Sequence, residues 1–368
     1  MDSSEQSHPA GASSPLDVKV PTSSSIVDVR VLDTNTRLYL KPGVFWEPIL
    51  EGFEGPNAPV YCFLVSHGNR HIIFDLGVRT DWENYAPNIV KLVKATTTVS
   101  TGDKDIASLL DDDDSGLGIR SSDIEAIVWS HSHFDHAGDP SRFPPSTQLI
   151  VGPGVKASSW PGYPSNPDGV VLDSDAAGRV IREISFDNTG LRVGRFDAFD
   201  YFGDGSFYLL NAPGHATGHM CALARTTVDP PSFVFMGADA CHHPGVLRPS
   251  QYLTLPQPIS SGSQHLSSYG GCPGDLLTQL GKWKKSLQEP FFEVARGPLF
   301  PDHDAAVDTV AKIQELDAAG NIFVLIAHDD SLGDKLPLYP ARLNNWEAKD
   351  LGKATRWLFC KELEHVKP

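Results

Sequence analysis

The sequence predicts an α/β protein in which two packed sheets are covered by helices, in one domain over residues 25–368. Three observations predict it. Short apolar runs of strand length recur along most of the chain. A smaller number of stretches with helical period fall among them, so the elements are mixed rather than gathered into separate blocks. No stretch after the first 24 residues has the composition of a linker strong enough to divide the chain.

Taken in order, residues 1–24 are rich in Ser, Pro and Gly without periodicity and read as a disordered tail. Apolar runs then predict strands at VDVRVL (27–32), RLYL (37–40), VYCFLV (60–65), HIIFDL (71–76), EAIVW (125–129) and TQLIVG (147–152). Further strands are predicted at RVIREIS (179–185), SFYLLN (206–211), HMCALAR (219–225), SFVFMG (232–237) and NIFVLIA (321–327). Helical spacing is found near 104–110, 274–288, 304–319 and 345–353. Residues 242–273 form a long connection with little periodicity. Loops of that length inside a domain are uncommon and often functional, and Leu247, Tyr252, Leu253 and Leu255 predict that this one packs.

The composition is that of a globular protein, 40% hydrophobic and 21% charged, with a formal charge of -16 and a pI near 5.2. An acidic surface repels phosphate backbones, which argues against nucleic acid as a partner. The run Asp111–Asp114 reads as a solvated loop. Five cysteines, Cys62, Cys221, Cys241, Cys272 and Cys360, are odd in number and widely spaced, which points to a reducing compartment. The first residues lack the basic start and apolar stretch of a signal peptide, and no apolar run approaches membrane-spanning length. The expectation is a cytosolic protein that does not enter a membrane.

Chemistry concentrates at SHSHFDHAGD (130–139), directly after the apolar run IEAIVW (124–129). His131 and His133 are two apart in an extended segment and can point the same way. Phe134 can turn inward, and Asp135 and His136 follow as the chain bends toward a helix. Imidazole nitrogen and carboxylate oxygen are donors for zinc and similar ions, in sites where three or four of them converge. One loop therefore offers two donors to one ion and two to another. Three more candidates each close an apolar strand: His215 after SFYLLNAPG, Asp239 after SFVFMGA and His328 after NIFVLIA. Any one of them alone would pass for a polar residue ending a strand, but the placement is repeated three times.

Together, His131-Ser-His133-Phe-Asp135-His136, His215 in APGH, Asp239 in GAD and His328 in IAH resemble the metallo-β-lactamase superfamily, from about residue 27 to 360. The resemblance implies a four-layer αββα sandwich with two divalent metal ions, usually zinc, on one edge. It implies His131, His133 and His215 on the first ion, Asp135, His136 and His328 on the second, and Asp239 bridging them. FDLG (74–77) is also similar to the superfamily and implies that Asp75 supports the metal loop by hydrogen bonds. On residue chemistry alone Asp75 could equally start a turn. His219 in GHATGH reads as a structural or supporting group rather than a ligand.

The ligand set looks like the hydrolase branch, which includes quorum-sensing lactonases, glyoxalase-II-type thioesterases, nucleases and phosphodiesterases. SHSHFDHAGD is similar to the lactonase group. DACHHPG (239–245) with RPSQYLTLP (248–256) looks like a fungal subgroup of lactonase-like hydrolases, which implies opening of lactones, cyclic amides or cyclic carbamates, plant defence compounds among them. Where lactonases carry a substrate-contacting tyrosine three residues after the bridging aspartate, this chain has His242, followed by His243. An imidazole can donate to a developing oxyanion, or the ring can be a supporting or surface group.

The implied reaction is attack of a metal-bound hydroxide on a cyclic carbonyl, with Asp135 passing the proton to the leaving group. Phe45, Trp46 and Phe53 in KPGVFWEPILEGFEG, His242, His243 and Tyr252 are candidates for the substrate wall, against the alternative that the aromatic residues pack locally. The substrate expected is a small molecule with a cyclic carbonyl. No Arg/Lys cluster adjoins the motifs, which counts against phosphate or coenzyme A. The alternatives are a thioesterase of the glyoxalase-II kind, for which Lys353, Arg356 and Lys361 are ambiguous carboxylate partners, and a non-hydrolytic metal-binding or redox protein on the same scaffold.

Overall fold

Alternation along the strands builds the molecule. The computed structural model describes residues 16–112, 114–187, 190–256 and 286–367. Six strands form one sheet in chain order: β1 (Asp28–Leu32), β2 (Cys62–His67), β3 (Arg70–Phe74), β4 (Ile124–Val128), β5 (Gln148–Val151) and β6 (Ile181–Glu183). β1–β3 pair antiparallel, and β3–β6 run parallel. The second sheet is again in chain order: β7 (Arg192–Val193), β8 (Phe196–Asp200), β9 (Phe207–Asn211), β10 (Met220–Val228), β11 (Pro231–Met236) and β12 (Ile322–Leu325). Its pairs are antiparallel except β11 with β12.

Successive side chains of a strand point to opposite faces. In β9, Phe207 and Leu209 enter the core between the sheets, where they join Phe63, Val65, Phe74, Val128, Val234 and Met236. Tyr208 and Leu210 of the same strand face outward and pack with Ala306, Val310, Ile313 and Leu316 of the helix His303–Asp317. On the far face of the first sheet, Leu64, Ile73, Ile127 and Leu149 meet Ile106, Ala107 and Leu110 of the helix Ile106–Asp111. The order is helix, sheet, sheet, helix, the αββα sandwich that the motif resemblance implied.

Because β3 runs parallel to β4 and β11 to β12, the residues that follow these strands emerge on one rim. β9 lies two antiparallel steps from β11 and delivers its end to the same rim. Asp75, the 130–136 loop, His215, Asp239 and His328 all arrive there by this rule.

The eleven anticipated strands are present within a few residues. The strand Phe196–Asp200 and the helix Pro87–Thr96 were not anticipated. FDAFD interrupts its apolar run with charge, and PNIVKLVKAT carries β-branched residues that weaken a helical reading. Of the helix anticipated at 345–353, only Leu351–Thr355 is helical, after an Asp350 in the left-handed region. The one at 274–288 and the loop portion 257–273 fall outside the described residues for all but the last few positions. Among the described residues, no helix is long and apolar enough to cross a membrane.

Candidate metal centre

Two groups of donors lie side by side on the rim: His131, His133, His215 and Asp239, and then Asp135, His136, Asp239 and His328. Within each group the donor atoms lie within 4.8 Å of one another. In the first, Nε2 of His215 is 3.2 Å from Nε2 of His131 and 3.0 Å from Nδ1 of His133. Three ring nitrogens this close repel as bare lone pairs, and a shared cation relieves them. Asp239 joins the two groups through separate oxygens. Its Oδ2 is 3.7 Å from His131 Nε2 and 3.5 Å from His215 Nε2. Its Oδ1 is 3.0 Å from His136 Nε2 and 3.1 Å from His328 Nε2. Oδ2 of Asp135 completes the second group, 3.6 Å from His136 Nε2 and 3.4 Å from His328 Nε2.

The rings are aimed from behind. Nδ1 of His136 lies 2.8 Å from Asp75 Oδ2, and the Ser130 amide donates to Asp75 Oδ1 at 2.7 Å. Asp75 reaches both from the left-handed region (φ 61°), which Asp tolerates better than most residues. Nδ1–H of His328 donates to the Pro59 carbonyl at 2.8 Å, which turns Nε2 toward the centre. Such partners fix the tautomer and orientation of a metal-facing imidazole. His219 donates from Nδ1 to the Ala212 carbonyl at 2.9 Å and accepts the Asp239 amide on Nε2 at 3.2 Å. It therefore braces the backbone of the shared aspartate. Its own pKa is pushed down to about 4 by burial.

The same geometry separates the two groups electrostatically. Burial holds His131 and His215 well below the usual imidazole pKa, and neighbouring histidines add to this. Burial also lowers His133. For His136, burial would lower the pKa, but Asp239, Asp135 and Asp75 outweigh it and raise the value well above the usual one. His328, despite its burial, is raised to about 10, with Asp239 and Asp135 responsible.

The donor set fits divalent cations. Nε2 of His136, Nε2 of His328 and Oδ1 of Asp239 are buried atoms without a hydrogen-bond partner among the described residues. Buried polar atoms are seldom left so, and cations between these donors would satisfy all three.

The substrate-wall candidates divide. The half-buried Phe45 lies over His242 with ring centroids 4.5 Å apart. Trp46, Phe53 and His243 are buried in the aromatic core instead, with Phe292 packed against each of them. The short pairing of Trp46–Glu47 with Glu293–Val294 draws Trp46 inward. His243 accepts the Gly245 amide on Nδ1 and turns Nε2 to Glu362, 3.3 Å away. Tyr252 sits half-buried in the turn between Ser250 and Leu253. His242 is at the centre, its Nε2 3.0 Å from Asp239 Oδ2, so it holds the shared aspartate rather than projecting freely. Its ring stacks on His328 at 5.5 Å and 9°.

Two contacts had no signal in the sequence. Phe300 packs edge-on against His215 and His242. The bidentate pair of Arg248 with Asp317 ties the chain after Asp239 to the helix His303–Asp317.

A sandwich with this rim is the architecture of a metal-dependent hydrolase, and comparison with known proteins agrees. Residues 55–224 match the model of the metallo-beta-lactamase superfamily. The chain is 64% identical to the metallo-hydrolase mfmC of Annulohypoxylon moriforme, over 93% of this chain and 89% of that protein. It is 44% identical to the gamma-lactamase FDB1 of Fusarium pseudograminearum, over 94% of this chain and 84% of that protein. A solved N-acyl homoserine lactone hydrolase, with N-hexanoyl-L-homoserine at its catalytic metal center, shares the fold. Its TM-score is 0.56 at 16% identity, over 86% of this chain and 99% of that one. The chain belongs to the metallo-β-lactamase superfamily. Within it, the protein is a metal-dependent hydrolase with lactamase and lactonase relatives.

Proposed function

We propose that this hydrolase opens a small cyclic ester or amide (a lactone, lactam or cyclic carbamate) with two divalent ions, zinc by the chemistry of the donors. The observation that carries the reading is Asp239, whose two oxygens face two separate groups of donors. His131, His133 and His215 would hold one ion, and Asp135, His136 and His328 the other. Two ions held so would supply Lewis acidity toward a carbonyl oxygen and lower the pKa of water.

The chain's own groups do the rest. Asp75 and the Pro59 carbonyl hold the rings of His136 and His328, and His219 holds the backbone of Asp239. Asp135, whose Oδ2 faces His136 and His328, would pass a proton to the ring heteroatom that leaves. Nε2 of His242 lies 3.0 Å from Asp239 Oδ2, and it would donate to a substrate oxygen only by leaving that contact. Phe45 supplies the apolar surface above His242.

The gamma-lactamase relative supports a cyclic amide among the substrates, and the shared fold of the lactonase leaves a cyclic ester beside it. A role in detoxifying plant defence compounds and a cytosolic location belong to the same proposal. Among the described residues, the buried cysteines Cys62, Cys221 and Cys241, outside any disulfide, support the reducing compartment. Of the candidate carboxylate partners for a glyoxalase-II-like thioesterase, Arg356 donates to the Asp317 carbonyl beside the buried Arg248 and Lys353 pairs with Asp350.

The test is metal content by mass spectrometry on the preparation used to assay lactones, lactams, cyclic carbamates and thioesters. Two equivalents with turnover of one cyclic class is the expected outcome. Fewer than one equivalent after metal loading, with no hydrolysis of any member, would refute the reading.

A further inference from the structure

The helix that carries Asp135 and His136 is a single turn, Phe134–Ala137. So short a turn leaves its own carbonyl groups without helical partners, and donors from elsewhere must meet them. The Leu76 amide donates to the His136 carbonyl at 2.9 Å, and the Trp129 indole donates to the Ala137 carbonyl at 3.0 Å. The third donor is the Tyr85 hydroxyl. It lies 2.7 Å from the Phe134 carbonyl oxygen and 3.0 Å from that of Gly138, so one phenolic proton serves both ends of the segment.

Tyr85 is itself fixed. Its ring is buried, meets Phe134 edge-on and lies beneath the Arg79 guanidinium, 5.4 Å from the ring centre. Arg79 is held in turn by Asp81 at 2.6 Å and Asp139 at 3.3 Å. The end of the turn cannot drift toward the sheet either. Gly138 has φ +53°, and a Cβ there would fall 2.3 Å from Cβ of Leu76.

From this we infer that Tyr85 is a positioning residue for the second ion. Its hydroxyl fixes the turn that aims Asp135 and His136, and so sets the affinity of that ion while sparing the first. The selectivity follows from the path of the chain. Asp135 and His136 lie between the two carbonyls that the hydroxyl spans. His131 and His133 precede them, and His215 comes from another loop. The inference rests on the two-ion reading above.

The test is a titration of the chelator-stripped full chain with Zn2+ against a chromophoric chelator, for wild type, Tyr85→Phe and Tyr85→His. Wild type should load in two steps. Tyr85→Phe keeps the ring and removes only the donor. Its second step should weaken about 10-fold or more, in the range for loss of an outer partner, with the first step unchanged. Tyr85→His retains a ring N–H and should weaken less, and it carries the same comparison should the Phe variant not fold. A merely structural role would lower the melting temperature of the metal-free protein and weaken both steps alike, which would overturn the inference. Two unchanged steps in Tyr85→Phe would overturn the role of Tyr85 alone. A single step in wild type would overturn the two-ion reading and this inference with it.

Discussion

The two halves of the centre are built from similar rings but opposite electrostatics. His131, His133 and His215 are buried among one another and favour the neutral form. Asp135, His136 and His328 share their space with three carboxylates when Asp75 and Asp239 are counted, and both histidines favour the charged form. The supports differ in kind as well. His136 is backed by a carboxylate and His328 by a carbonyl, whereas Nδ1 of His215 is buried without a hydrogen-bond partner among the described residues. The first half gathers neutral lone pairs, and the second gathers negative charge that needs cations. The second half should therefore depend far more on its outer partners.

The largest effect is expected where the halves meet. Asp239→Asn removes the negative charge shared by both and should lower kcat/KM by more than about 100-fold, beyond what loss of an outer partner costs. Metal analysis should find less than one equivalent bound. Retention of both ions would break the comparison. Next comes Asp75→Ala, which should weaken the second ion about 10- to 100-fold in stepwise metal titration while leaving the first nearly intact. Equal weakening of both ions would show that the halves act as one unit.

The aromatic residues sharpen the boundary between centre and core. Trp46→Ala should cost about 3–5 kcal/mol in denaturant unfolding, as deletion of a buried ring does. Phe45→Ala should leave the unfolding midpoint nearly unchanged and raise KM. Reversed outcomes would move the substrate wall to Trp46.

The smallest effect lies outside both halves. Asp175 is buried, and its pKa is raised from 3.8 to about 7, burial being the main cause. A carboxyl shifted upward supports the fold when protonated. Its contribution is complete below about pH 3.8 and is lost as pH rises through about 7. Asp175→Asn should accordingly stabilise the protein at pH 8 and not at pH 4, by on the order of 1–2 kcal/mol. Melting curves at the two values check this, and an equal shift at both would contradict it.

The donors and their supports were unequally legible in the sequence. SHSHFDH announces itself because its donors are contiguous, and His215, Asp239 and His328 because each closes an apolar strand. The sandwich was legible for the same reason, since period-two alternation is local. What supports the donors was mostly hidden. The Pro59 and Ala212 carbonyls belong to the backbone and carry no residue signature. Tyr85 acts from a segment whose helix was itself missed. Trp46 and Phe53 read as a wall because they stand in a loop between two predicted strands, and only the pairing of Trp46–Glu47 with Glu293–Val294 and the packing of Phe53 on Trp46 and Phe292 show them turned inward. For His242 the position was legible and the partner was not, because its contact with Asp239 depends on how the chain turns after β11.

The central claim is that one carboxylate joins two cation sites. Metal content of the full chain, after zinc loading and exhaustive dialysis, tests it most directly. The account predicts two equivalents per chain, and a single equivalent or none would contradict it.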